Sequence, residues 1–112
     1  MRPHLTMHVL DAATGRPASG VAVVLTDEGG AEIARGETDA DGRAGLGPAR
    51  LAAGTYELAF ATGAYFAARG VAAFHPRVRV TFALADEADG SPRHHHVPLL
   101  LSPFSYTTYR GS

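Results

Sequence analysis

Six of the 112 residues are histidines, and three of them are consecutive: His94-His95-His96. An imidazole titrates near neutral pH, so it can accept a proton and return one within a single reaction. Along an extended strand, alternate side chains point to opposite faces, which puts His94 and His96 on one side and His95 on the other. Val97-Pro98-Leu99-Leu100-Leu101 follows directly, so the run belongs to a strand and is no tag fragment. His8 lies inside a second alternating stretch, Leu5-Thr6-Met7-His8-Val9-Leu10, on the face opposite Leu5, Met7 and Val9. Arg43 comes straight after the turn residues Asp41-Gly42, and a guanidinium is a permanently charged, planar fork suited to gripping carbonyl oxygens. Each of these residues also has an ordinary reading. His8 and Arg43 could be solvated surface groups, His95 an exposed polar residue, and Tyr109-Arg110-Gly111-Ser112 a frayed end. Residue type alone does not choose between the readings.

Several chemistries are excluded or unsupported. There is no cysteine, so thiolate metal sites, disulfides and cysteine nucleophiles are ruled out. A structural zinc needs three or four protein ligands, and two histidines at i, i+2 fall short of that, so no structural metal site is expected. No Gly-rich phosphate loop and no Gly-x-Ser-x-Gly nucleophile elbow is present.

The elements that must carry these residues are short strands. Apolar alternation broken by Gly, Pro and Asp runs through the chain, the pattern of an all-β sandwich or barrel. Strands are expected at 5–10, 21–26, 31–37, 43–46, 55–61, 78–84, 94–101 and 104–109. Asp11 to Ser19 reads as turn and loop. Tyr56, Leu58 and Phe60 should share one face, and so should Val78, Val80, Phe82 and Leu84. The one helical stretch is Thr62 to Arg69, ending at Gly70. Pro98 and Pro103 should lie near edges or bulges, because proline cannot donate to a ladder. Strands apolar on both sides, such as Leu99-Leu100-Leu101, point to a subunit interface.

The length fits a single domain over residues 1–112. A hydrophobic fraction of 46% with 19% charged residues argues for a folded core and against disorder. Ten basic against eleven acidic residues leave a net charge of -1, without the basic excess of a general nucleic-acid binder. No apolar run reaches a membrane span, and Met1-Arg2-Pro3-His4-Leu5 lacks the apolar core of an export signal. A cytoplasmic protein with no nucleic-acid or membrane partner is expected.

The sequence resembles the transthyretin-like family, and within it the 5-hydroxyisourate hydrolases of urate degradation. The likeness runs nearly end to end. It is carried by Leu5-Thr6-Met7-His8-Val9-Leu10-Asp11, Thr14-Gly15-Arg16-Pro17-Ala18, Asp41-Gly42-Arg43, Gly54-Thr55-Tyr56 and Thr62-Gly63-Ala64-Tyr65-Phe66. It continues through Phe74-His75-Pro76, His94 to Pro103, Tyr106 and Tyr109-Arg110-Gly111-Ser112. The resemblance implies a transthyretin-like (prealbumin-like) β-sandwich of about eight strands in two sheets with one short helix. It implies a homotetramer whose active sites lie where subunits meet. It implies hydrolysis of 5-hydroxyisourate to a ring-opened ureido carboxylate, with a small purine-derived substrate and no cofactor. Carried over by position, the catalytic residues would be His8, Arg43, His96 and Ser112, and the substrate contacts His8, Arg43, Tyr109, Arg110 and Gly111. The family commonly has an aromatic residue where this chain has His95. His94 shares the face of His96 and is expected to supply a hydrogen bond behind it. The alternative within the same fold is a transthyretin-type carrier of a small apolar ligand, which would want an apolar channel without these histidines and this arginine.

Overall fold

The computed structural model describes residues 4–48 and 50–111. Two sheets face each other. The first contains β1 (Leu5–Asp11), β2 (Arg16–Pro17), β5 (Arg43–Leu46), β8 (His95–Leu101) and β9 (Tyr106–Thr108). The second runs in the order β4 (Glu32–Glu37), β3 (Ala22–Asp27), β6 (Gly54–Phe60) and β7 (Val78–Leu84). One short helix, α1 (Thr62–Ala67), connects β6 to β7. This is the expected sandwich. The element absent from the expectation is β2, two residues that pair with Leu10 and Asp11 at the far end of β1.

β1 is the centre of the first sheet. It runs parallel to β8 over its whole length, from Leu5 opposite His95 to Asp11 opposite Leu101. On its other side, antiparallel β5 covers its first half, with His8 opposite Arg43. The two-residue periodicity then divides the side chains. Leu5, Met7 and Val9 from β1, with Val97, Leu99 and Leu101 from β8, point inward and are buried. They meet Val23 and Leu25 of β3 and Tyr56, Leu58 and Phe60 of β6, so the core is the space between the sheets. Each fully buried Leu, Val or Phe contributes about 1.5–3 kcal/mol, which fixes strand register as well as stability. Val80 and Phe82 are only partly buried because β7 is an edge strand.

Pro98 departs from the edge expectation. It lies inside β8, between β1 and β9. His95 N–H donates to the His4 carbonyl, so odd-numbered amides of β8 face β1 and the Pro98 nitrogen faces the other way. There, β9 pairing ends with Thr108 opposite Leu99, and the ladder resumes only at Gly111 opposite His96. The missing donor therefore falls in a gap of the ladder, and the Pro98 carbonyl accepts from the Thr108 hydroxyl at 2.8 Å.

The helix is docked through Asp11. Tyr65 hydroxyl donates to Asp11 Oδ2 at 2.9 Å, while Asp11 Oδ1 accepts from the amides of Ala13 and Thr14. The Arg69 guanidinium covers the Tyr65 ring at 3.7 Å.

Candidate functional site

The outward face of the first sheet collects the candidate residues. Parity puts Thr6 and His8 of β1, Arg43 of β5 and His96 of β8 on this face, away from the apolar side. Thr6 is opposite His96, and His8 is one side-chain repeat further along. Strand spacing and rise set the Cα atoms of His8 and His96 about 8 Å apart. His8 and His96 are half-buried and Arg43 is exposed.

Each position has a local cause. Arg43 is delivered by the turn Asp39-Ala40-Asp41-Gly42. Asp39 Oδ1 accepts from the amides of Asp41 and Arg43 at 2.9 and 3.0 Å. Those bonds, the Arg43 amide foremost, hold the Asp39 carboxyl below the usual carboxylate range, and the nearby charges of Arg43 and His8 act in the same direction. Gly42 has φ 75° and lies so close to β1 that a Cβ would stand 2.3 Å from the Val9 carbonyl oxygen. Only glycine fits there. The same turn holds His8, whose Nε2 donates to the Asp41 carbonyl at 3.0 Å. In the neutral ring this leaves Nδ1 as the nitrogen with the lone pair.

His96 is held from two sides. Its Nδ1 is hydrogen-bonded to Thr6 Oγ1 at 2.8 Å. From the other side, Gly111 bridges to it, donating its amide to the His96 carbonyl at 2.8 Å. His94, expected to stand behind His96, reaches the same Thr6 oxygen with Nε2 at 2.9 Å. Tyr109 and Arg110, on the way to Gly111, line a cavity of about 320 Å³ with His96, Thr108 and the edge strand β7. Arg43 is not among the residues that line this cavity. Ser112 lies outside the described residues.

His95 is the correction. Read as an exposed polar residue, it is buried, at 6% exposure. Its Nδ1 donates to the Arg93 carbonyl at 2.8 Å and its Nε2 accepts from the Ala85 amide at 3.3 Å. Both ring nitrogens are used, so the imidazole closes the end of the sandwich between β7 and β8. Parity correctly turned it away from His96; its polarity concealed that this other side was the interior. His4 was not singled out in the sequence. It is buried beside His95, ring centroids 6.0 Å apart, and its Nδ1 accepts from the Leu51 amide.

No group of three or more His, Asp or Glu side chains placed to hold a metal occurs among the described residues. No described helix is long and apolar enough to cross a membrane. What the outer face offers is three imidazoles (His8, His94 and His96), a guanidinium, a threonine hydroxyl and a backbone bridge from Gly111. That is a set for moving protons beside a fixed positive charge.

Residues 5–111 match the HIUase/Transthyretin family. The chain belongs to that family. A "5-hydroxyisourate hydrolase 2" from Rhizobium meliloti is 50% identical, the alignment covering 96% of this chain and 95% of the relative. Among solved structures, the Klebsiella pneumoniae 5-hydroxyisourate hydrolase superposes with a TM-score of 0.85 at 40% identity, covering 96% of this chain and 98% of that one. Sea bream transthyretin in complex with thyroxine superposes equally well, at 0.85 and 37% identity over 96% and 93% of the two chains. Within the HIUase/Transthyretin family the backbone alone thus does not separate hydrolase from carrier; the side chains of the outer face must.

Proposed function

We propose that this protein is a hydrolase that opens 5-hydroxyisourate in purine degradation. The observation that carries this reading is the polar outer face of the first sheet, where His8, Arg43 and His96 occur together. An apolar-ligand carrier would bury charge and imidazole there at a cost and gain nothing from them. The curated relatives named as hydrolases support the same choice.

The reaction adds water to a ring carbonyl and breaks the adjacent C–N bond. It needs a base for the water, a stabiliser for the developing oxyanion and a proton for the departing nitrogen. In this proposal His8 or His96 activates the water, and an imidazole of the same face returns a proton to the leaving nitrogen. Arg43 orients the planar, oxygen-rich substrate and polarises the carbonyl. Tyr109, Arg110 and Gly111 contact the substrate edge, and Ser112 positions water or relays a proton through its hydroxyl. A single hydrolase domain over residues 1–112 assembles as a homotetramer, with the sites where subunits meet. The half-buried apolar Leu10 and Leu100 on the same outer face support its being covered by another copy. A cytoplasmic location is part of the proposal, and cell fractionation tests it.

The test is direct. Freshly prepared 5-hydroxyisourate should lose its ultraviolet absorbance faster with protein than in the protein-free control, in proportion to protein added. Decay at the spontaneous rate at all protein concentrations would refute the reading.

A further inference from the structure

Thr6 Oγ1 stands between two imidazoles, 2.8 Å from His96 Nδ1 and 2.9 Å from His94 Nε2. A hydroxyl has one proton and donates once. When it donates to one ring, the other ring nitrogen must be the N–H that donates to it. The three groups therefore share protons as a directed chain, and reversing the chain changes which ring carries charge.

We propose that His94 is a proton reservoir for His96, connected through the Thr6 hydroxyl. The proposal rests on the reading that His96 moves a proton at the reacting centre. In the receiving step, water gives a proton to His96 Nε2. His96 Nδ1–H passes to Thr6 Oγ1 as Oγ1–H passes to His94 Nε2. His96 is then neutral with its proton on Nε2, His94 is the cation, and Thr6 is unchanged. His96 Nε2–H can now protonate the departing nitrogen, and the reverse shift returns the proton from His94 to His96 Nδ1. One imidazole thereby serves as base and acid in one cycle, and the positive charge waits one residue group back from the substrate. His94 and Thr6 are positioning residues in this scheme, since they act through His96.

Charged and titratable groups flank the relay on both sides. His8 lies one repeat along β1 on the same face, and Arg43 faces His8 from β5. Asp39, which accepts from the Arg43 amide, and Asp41 are the carboxylates of the turn before Arg43. On the other flank, Arg110 and Tyr109 share the cavity wall with His96, and Arg93 precedes His94.

Three variants test this. Thr6→Val keeps a β-branched strand residue and removes the hydroxyl; Thr6→Ser keeps the hydroxyl; His94→Gln keeps an amide that can bond Thr6 but cannot hold the proton. Thr6→Val and His94→Gln should each lower kcat about 10- to 100-fold with little change in KM. Each should also remove one ionisation from the kcat–pH profile, and Thr6→Ser should restore both. In the unliganded protein, imidazole resonances of His94 and His96 should titrate as a coupled pair with two separated steps, reduced to single steps in Thr6→Val. Wild-type kcat and pH profile in His94→Gln would overturn the reservoir, as would a His96 titration unaltered by Thr6→Val. The titration needs no substrate. Coupling in a wild-type protein that fails to accelerate 5-hydroxyisourate decay would sink the hydrolase reading and leave the shared proton standing.

Discussion

Gly111 presses against His96: a methyl group on its Cα would stand 2.7 Å from the imidazole Cδ2 and 3.1 Å from Pro98 Cγ. The contact sets the backbone at residue 111 against the ring that we propose reacts. The tail backbone forms one wall against the ring and the Thr6 hydroxyl forms the other, so the imidazole is fixed between them. A reacting imidazole held this way gains from orientation, since small displacements of a reacting group cost large factors in rate.

Gly111→Ala should therefore impair turnover without unfolding the protein. The added methyl must push the ring or the tail aside, because the ring sits on a rigid strand. We expect kcat to fall about 10- to 100-fold, with a thermal midpoint close to wild type. Steady-state kinetics and a melting curve check both halves.

Gly42 and Arg43 are neighbours with separable effects. Gly42→Ala places a methyl 2.3 Å from the Val9 carbonyl oxygen and forces a positive φ on a residue with a Cβ. The αL conformation alone costs about 1–2 kcal/mol, and the clash adds to it. Urea unfolding should show a clear loss of stability. Arg43→Lys keeps the turn and the charge and removes the planar fork. It should leave the urea midpoint unchanged and lower kcat/KM at least about tenfold, the loss expected from a weakened substrate clamp.

These two glycines also mark what could be read from the sequence. Alternation gave the faces correctly: Leu5, Met7 and Val9 are inward, and His8 and His96 outward. It is a local property, and two-residue periodicity survives folding. It could not tell which strands become neighbours. The parallel pairing of β1 with β8, which sets Thr6 opposite His96, joins segments almost a chain length apart. The family resemblance brought His8, Arg43 and His96 to one site; periodicity alone did not. His95 shows the opposite failure. Its parity was right and its polarity misled, because the partners that satisfy it, Arg93 O and Ala85 N–H, are ordinary backbone groups that no side-chain pattern announces. The role of Asp11 was invisible for another reason: its partner, the Tyr65 hydroxyl, lies far along the chain on the helix, and periodicity does not pair distant residues.

His95 and His96 should respond in opposite ways to the same substitution. His95→Ala deletes a buried ring and both of its hydrogen bonds. It should destabilise the fold by about 1–3 kcal/mol and leave kcat close to wild type. His96→Ala removes a proton-transfer group from the outer face and should lower kcat about 10²- to 10⁴-fold with a smaller change in stability. Chemical denaturation and kinetics on both variants give a two-by-two comparison. A large kcat loss in His95→Ala at full stability would contradict the division of faces.

Tyr65 should make the fold sensitive to alkali. Its phenol is buried, and that burial raises its pKa above the usual 10; the bond to Asp11 and the Asp11 charge raise it further, while Arg69 opposes them. In the window between the ordinary value and the folded one, the unfolded chain has released the phenolic proton and the native protein has kept it. The native state then binds more protons, so stability falls as pH rises through that window and is unaffected by this group below it. The bond being lost is the Tyr65 donation to buried Asp11, which holds α1 against β1. Tyr65→Phe should cost about 1–3 kcal/mol at neutral pH, because Asp11 Oδ2 loses its donor. It should also remove the extra loss of stability above pH about 10. Urea midpoints measured across neutral to alkaline pH for both proteins should converge as pH rises. Parallel curves, with the same alkaline slope in Tyr65→Phe, would show that other groups set the alkaline limit.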